Sequence, residues 1–480
     1  MHRISIAVLA ACGVLASIPA SAADADLQAL REEIAQIKKA TAQRIDALEK
    51  RLAQAESTAT QTKATVDNAA NTAANNAPNT VASKVARQPN TKADGFNPEI
   101  SLTLQGALTK TQRDPATWTM QGFVPPGEPD EIGPPRRRGF TLQESELGIA
   151  ANIDQNFRGY LNLAMTPDNT VELEEAYFQT LGLSAGFTLK GGRFLSGIGY
   201  QNAQHPHSWD FADAPLAYTA FFGNKLTAEG VQIKWLAPTE IFLEFGLEGG
   251  RDNSFPGGGK NKSGTALGAA FARIGGDAGV SNSWRAGMSY VATNPGARAY
   301  DGVDATGLTT TNTFAGKSRT VGADVVWKWA PNGNSTERNL TLQAEYFRRI
   351  ETGSLRCAER DTSGACGGAT GLTDHYDARQ SGYYAQGVWQ FMPRWRMGYR
   401  HDRLNSGTTT LGPALVATDL PQLAAWNPRR DTVMVDFASS EFARLRLQLA
   451  RDDSRGPGLQ DNQVWLQYIM SLGAHGAHKF

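Results

Sequence analysis

Past its first 22 residues the chain has no run of 18 apolar residues, yet from Pro98 onward apolar and polar side chains alternate in stretches of about ten. A helix needs about 20 consecutive apolar residues to cross a hydrocarbon core of about 30 Å. A span made by this chain must therefore be built of strands closed into a barrel, which leaves no backbone polar group and no sheet edge unpaired in lipid. The last stretch is the clearest: Val464, Leu466, Tyr468, Met470 and Leu472 share one face, and Gln463, Gln467 and Ser471 share the other. Phe480 falls in phase with the apolar set.

The same period-two pattern predicts sixteen strands, starting near 99, 140, 157, 171, 186, 227, 241, 264, 283, 317, 339, 380, 394, 430, 442 and 463. An even number returns both chain ends to one side, expected to be periplasmic. Tight links are expected at 154–157, 182–185, 237–240, 331–339, 392–394 and 439–441. Long ones at 113–139, 195–226, 293–316, 352–379 and 404–428 would face outward. Trp235, Phe245, Trp327, Trp329, Tyr399 and Tyr468 lie on the apolar parity, several near strand ends, as aromatic girdles at the two membrane interfaces do.

The region before the strands reads as three segments. Residues 1–22 have the layout of a secretory signal, with Arg3 before the apolar run Ile4 to Ile18 and a small-residue cleavage site at Ala20-Ser21-Ala22. A lipidation box, Leu9-Ala10-Ala11-Cys12, competes with it, but cutting there leaves an unusually short apolar core. In 23–56, Leu27, Leu30, Ile34, Ile37, Ile45, Leu48 and Leu52 recur near a 3.5-residue spacing, with Thr41 filling the gap as a stutter. That seam wants partner helices, and its isoleucines lean toward three strands. Residues 57–97, rich in Ala, Asn and Thr, cannot bury enough surface to offset ordering entropy and read as a tether. The barrel is expected over 98–480.

With Cys12 removed, Cys357 and Cys366 remain, nine residues apart in a polar stretch. In an exported chain they are expected to form a local disulfide, with a zinc pair or redox site the weaker alternatives. The formal charge is zero, which argues against a nucleic-acid partner. No Gly-x-Ser-x-Gly elbow, phosphate loop or His-Glu-x-x-His occurs, so no enzyme is expected, and no cofactor motif is present.

The parity opposite the apolar one should line a lumen, where charge is sorted along the chain. Glu144, Glu146, Glu172, Glu174, Glu244 and Glu248 occupy the first half, and Arg349, Arg394, Arg396, Arg400, Arg444 and Arg446 the second. On a closed barrel these form walls of opposite sign and a transverse field; the plainer outcome is that they pair with one another and keep the lumen wet. The long link at 195–226 carries Gln204-His205-Pro206-His207-Ser208-Trp209-Asp210-Phe211. His205, His207 and Asp210 are also weak candidates for a divalent metal, imidazole and carboxylate being suitable ligands. His475 and His478 fall on opposite faces of the last strand, an awkward geometry for one ion.

With its helical stem, low-complexity tether, sixteen strands and terminal Phe480, the chain resembles the coiled-coil-bearing porins of the DcaP-like and phosphate-selective type. The resemblance implies a homotrimer in the outer membrane of a Gram-negative bacterium, its stem in the periplasm, passing small anionic solutes. It also implies that the third outer loop folds inward, placing His205, His207, Trp209 and Asp210 at a constriction, and that the assembly machinery reads the last strand. The stretches Asn97-Pro98-Glu99-Ile100-Ser101, Gly191-Gly192-Arg193-Phe194-Leu195 and Leu472-Gly473-Ala474-His475-Gly476-Ala477-His478 resemble proteins labelled zinc-regulated TonB-dependent outer-membrane receptors. The chain departs from true receptors of that kind, because it has no plug of about 150 residues and cannot supply 22 strands. Passive diffusion of small solutes is thus the first expectation, a metal-linked or substrate-specific channel the second. A structural barrel whose stem touches peptidoglycan is the third.

Overall fold

The computed structural model describes Lys39 and residues 98–480, apart from 125–136, 168–169, 252–253, 259–263, 360–365, 417–418 and 474–480. The signal, most of the stem, the tether, Phe480, His475 and His478 lie outside the described residues.

Eighteen strand segments make one antiparallel sheet. They are β1 (Glu99–Thr111), β2 (Gly139–Leu142), β3 (Ser145–Asn152), β4 (Phe157–Met165), β5 (Val171–Thr180) and β6 (Phe187–Leu195). Next come β7 (Thr227–Leu236), β8 (Phe242–Arg251), β9 (Leu267–Asp277), β10 (Asn282–Thr293), β11 (Arg298–Val303) and β12 (Thr309–Trp329). The remainder are β13 (Asn339–Glu359), β14 (Leu372–Met392), β15 (Trp395–Leu411), β16 (Arg429–Ser440), β17 (Ala443–Asp452) and β18 (Asp461–Gly473). Apart from β2 and β11, consecutive strands pair along the chain, and the sheet closes from Ser101↔Gly473 to Thr111↔Gln463. β2 and β3 both pair with β1 and form one interrupted stave, while β11 pairs only with the outer part of β12. The result is a closed barrel of sixteen staves, with no helix long and apolar enough to cross a membrane among the described residues.

The two faces follow from the alternation. Leu445, Leu447 and Leu449 of β17 are exposed, whereas Arg446, Gln448 and Ala450 between them are buried. On β18, Val464, Leu466, Tyr468, Met470 and Leu472 are exposed, and Gln463 and Gln467 are 2 % exposed. An apolar outside and a polar inside invert the order of a water-soluble domain, and only lipid makes that arrangement favourable. Trp235, Phe245, Tyr399 and Tyr468 are exposed on the outer face, and Trp327 and Trp329 are half-buried on the same parity as exposed Val321 and Val325.

Turns between staves are set by local chemistry. The Asp154 carboxylate accepts from the Asn156 and Phe157 amides at 2.7 and 2.9 Å, turning β3 into β4. Between β5 and β6 the backbone passes through φ +79° at Gly186, where a Cβ would lie 2.2 Å from the Leu236 carbonyl oxygen. Two of the long links expected from the sequence, 293–316 and 352–379, are largely strand, and β15 extends into the third, 404–428, as far as Leu411. β12, β13 and β14 each run 21 residues and β15 runs 17, about twice what a bilayer crossing requires. Their outer parts are largely polar on the outward face, for instance Thr311 and Thr313 of β12 and Thr373 and His375 of β14, while Phe314, Leu355 and Tyr376 turn inward, so the apolar-outward alternation of a lipid-facing strand is absent although the ladder continues.

At the long-link end the described loops fold over one another. Val124, Tyr300, Phe314, Leu355, Tyr376, Leu415, Leu420 and Leu423 form a buried apolar cluster that includes bonded Cys357 and Cys366, whose Cα atoms are 5.4 Å apart.

Candidate functional site

The link from β6 to β7, residues 196–226, is the third on the long-link side and is called L3 here. Its mouth is stitched shut: Ser196 N donates to Leu226 O at 2.9 Å, and the Asn202 amide donates to the carbonyls of both residues at 2.8 and 2.9 Å. From there L3 enters the barrel. A backbone crossing a lumen has to find a partner for each peptide group it buries, and carboxylates on the wall supply acceptors. Glu248 accepts from Ser196 Oγ and Gly197 N at 2.5 and 2.7 Å. Glu345, across the barrel, accepts from Tyr200 N, Gln201 N and Tyr218 Oη at 2.9–3.0 Å. The middle of the loop forms helix α1 (Leu216–Phe222), buried at every residue and ended by Gly223 at φ +61°. Its Tyr218, Phe221 and Phe222 pack with Phe123, Phe347, Tyr384 and Leu404 in an apolar cluster inside the barrel.

The expected arginine wall is largely engaged with L3. Arg349 donates to Ala220 O at 3.0 Å, Arg444 to His207 O at 2.6 Å and Arg446 to Trp209 O at 2.8 Å. Arg400 binds Asp213 and Asp402, each at 2.9 Å. Arg396 bridges Asp210 at 2.9 Å and Asp436 at 2.6 Å. Arg394 differs from expectation: it sits at φ +70° in the tight turn between β14 and β15, exposed at the rim. Arg430, which sequence reading passed over, pairs with Asp213 at 2.8 Å.

On the acidic side, Glu144 binds Lys225 at 3.0 Å, and Glu244 binds Lys234 and Arg273 at 2.9 and 2.8 Å. Glu146 meets His205 and His207, and Glu174 meets His205 and Lys225. Glu172 is a correction, because it is exposed near the start of β5. A bulge opposite Asn162–Leu163 resets the parity of β5, so adjacent Glu174 and Glu175 are both buried. The expected sorting of charge into two walls is also corrected. Asp324, Glu345, Glu351, Asp402 and Asp436 are buried in the basic half, so acid and base interleave there. The Arg400-His401-Asp402 triplet offered a signal for one of these, but Asp436 facing Arg396 and Arg446 is a cross-strand register that spacing along the chain does not reveal.

The metal trio drawn from sequence does not assemble. Asp210 is held by Arg396, and His205 turns to Glu146, Glu174 and Glu175 at 2.9–3.0 Å. The His205 and His207 rings stack with centroids 5.7 Å apart, and Trp209 is buried with its Nε1 donating to Gln204 O at 3.0 Å. In the loop proper, burial would raise the Asp213 carboxyl, but Arg430 and Arg400 hold it below its ordinary value.

Between L3 and the tight-turn end lies a cavity of about 800 Å³. Glu146, Glu175, His205 and His207 line one side, and Arg394, Arg396, Arg444 and Lys328 also border it. Among the described residues Arg444 has no carboxylate within 4.0 Å, and its buried Nε has no hydrogen-bond partner.

A closed sixteen-stave barrel with an apolar exterior, crossed inside by its third loop, defines a porin-like transmembrane β-barrel. Within that class the chain belongs to the same family as an uncharacterized protein of Aquifex aeolicus, 30% identical over 413 residues and covering 80% of each chain. No protein-family model matches. Among solved structures, OmpT of Vibrio cholerae in its trimer form matches at 9% identity, 79% of this chain, 100% of that one and TM-score 0.48. The outer membrane channel DcaP of Acinetobacter baumannii matches at 10%, 79%, 99% and 0.45. The anion-selective porin from Comamonas acidovorans matches at 12%, 79%, 100% and 0.42. At such identities a shared barrel says nothing about cargo.

Proposed function

We propose that this chain is an outer-membrane porin that passes small hydrophilic solutes, with preference for anions, and that L3 sets its constriction. The observation that carries the reading is the cavity of about 800 Å³ under L3, bordered by Arg444, which has no carboxylate within 4.0 Å among the described residues. Most other lumenal arginines already face a carboxylate, so Arg444 is the cation best placed to exchange one solvation partner for a passing carboxylate or phosphate. Arg394 at the rim adds field of the same sign to that wall, whereas Arg396 is already matched by Asp210 and Asp436. The acidic side is offset by Lys225, His205 and Lys190, which leaves cations less advantage there than its glutamates suggest.

Planar-bilayer recording of the full chain in a KCl gradient tests this. The expected result is a conducting pore whose reversal potential has the sign of anion preference, and Arg444→Gln should move that potential toward the cation side. A wild-type pore that favours cations overturns the selectivity, and a folded barrel that does not conduct overturns the porin reading itself.

A substrate-specific channel is the second reading, favoured by the apolar cluster of loops over the long-link end. It predicts ion current that is blocked, with saturation, by one class of solute, whereas a general pore shows no saturation at millimolar solute.

A further inference from the structure

We propose that His205, Glu146 and Glu174 form a binding site for a divalent transition-metal cation that ties L3 to the barrel wall. Hydrogens are too few at this point. Four polar atoms converge at this point: His205 Nδ1, Glu146 Oε2, Glu174 Oε2 and the Asn162 side-chain amide. Nδ1 lies 3.0 Å from Glu146 Oε2 and 2.9 Å from Glu174 Oε2. The Asn162 Nδ2 position lies 2.8 Å from the first oxygen, 2.7 Å from the second and 3.1 Å from Nδ1. An imidazole Nδ1 and an amide NH2 supply three hydrogens between them for these five contacts, and the contact between the two nitrogens has no acceptor once Nδ1 is protonated. Reversing the amide makes its oxygen a fourth lone-pair donor facing the same centre, and amide orientation is fixed only by such networks.

A cation resolves the shortage. One atom each from Glu146, Glu174 and His205 lie within 4.8 Å of one another. Ligands about 2.1 Å from a tetrahedral ion stand about 3.4 Å apart, so the cluster needs to open by only a few tenths of an ångström. Glu146 and Asn162 are 4 % and 1 % exposed, Glu174 is 7 % exposed, and they come from β3, β4 and β5, a rigid frame. His205 alone comes from the loop. Glu146, Asn162 and His205 border the cavity, which supplies a route in and water for any open coordination position. Glu175 Oε2, 3.0 Å from His205 Nε2, is the outer partner that a ligating imidazole ordinarily has. Imidazole plus carboxylate favours zinc-like ions over calcium or magnesium, which take oxygen ligands. This geometry does not depend on transport, so the site stands or falls separately from the porin reading.

The test is equilibrium titration of the folded full chain in detergent, after chelation, with CoCl2 followed by its visible absorption and with ZnCl2 by calorimetry. All samples carry His475→Ala and His478→Ala, so tail histidines contribute nothing. One Co²⁺ per chain is expected, displaced by equimolar Zn²⁺ and retained in a large excess of Ca²⁺ or Mg²⁺. His205→Ala should abolish binding, and Glu174→Gln, which keeps the side-chain shape, should weaken it by at least about 100-fold. Heat-modifiable gel mobility verifies that each variant is a folded barrel. No stoichiometric uptake by the folded chain, or uptake unchanged in folded His205→Ala, overturns the site.

Discussion

At the scale of single residues, L3 is held by charges that have no water to fall back on. Asp213 is its centre, paired with Arg400 at 2.9 Å and Arg430 at 2.8 Å, both 1 % exposed. Breaking a buried pair from one side strands the other partner, at a cost of about 3–5 kcal/mol. Asp213→Asn is therefore expected to lower the urea midpoint of the folded barrel and to raise open-channel current noise, whereas exposed Glu99→Gln should do neither. The pH dependence follows from the same pair. Because the folded Asp213 carboxyl lies below its ordinary value of 3.8, its contribution is complete above that value and is lost as pH falls through the lower folded one. The part of any acid-induced rise in current noise that Asp213 causes should appear only in strongly acid solution, and that part should be missing in Asp213→Asn, whose noise is already high at neutral pH.

At the scale of elements, each stave has one face for lipid and one for the lumen, and the two tolerate different chemistry. Leu447, midway along β17 and 47% exposed, faces hydrocarbon, and its neighbour Gln448 faces the Asp213 carboxylate at 3.0 Å. Leu447→Arg is expected to cost about 2–4 kcal/mol, the range for an arginine at the bilayer midplane, measured by equilibrium refolding into lipid vesicles. A cost near zero would mean that Leu447 faces protein, as it would in an interface between copies. The exterior was legible because alternation is local: every residue two positions on returns to the same face, and the last strand declares it from Val464 to Leu472. The bulge in β5 was not legible, because the extra residue is accommodated against Asn162 and Leu163 of the neighbouring strand and leaves no composition mark. The outer halves of β12 to β15 were hidden for a related reason: their ladders continue where neither face meets lipid, so an apolar outward face is not required.

At the scale of the whole molecule, closure removes every edge, so the barrel needs no partner to satisfy its sheet. An assembly of three copies would instead be specified by the 23–56 heptads. Deleting residues 23–56 is expected to leave a heat-modifiable barrel and to shift sedimentation from trimer to monomer; a trimer that persists without them would move the assembling surface to the barrel itself.

The sequence alone determined the barrel, its sixteen staves, most strand starts to within three residues and the tight-turn side. All of these follow from patterns that neighbouring residues share, a period of two and the residues that turn a chain. The tertiary structure alone decided which charges meet. Asp436 opposite Arg396, Glu345 under Tyr200 and Gln201, and Glu146 and Glu174 around His205 bring together residues from 31 to 145 positions apart. Their pairing depends on register, on one bulge and on how a buried backbone finds partners, and none of these is written in the spacing of residues along the chain.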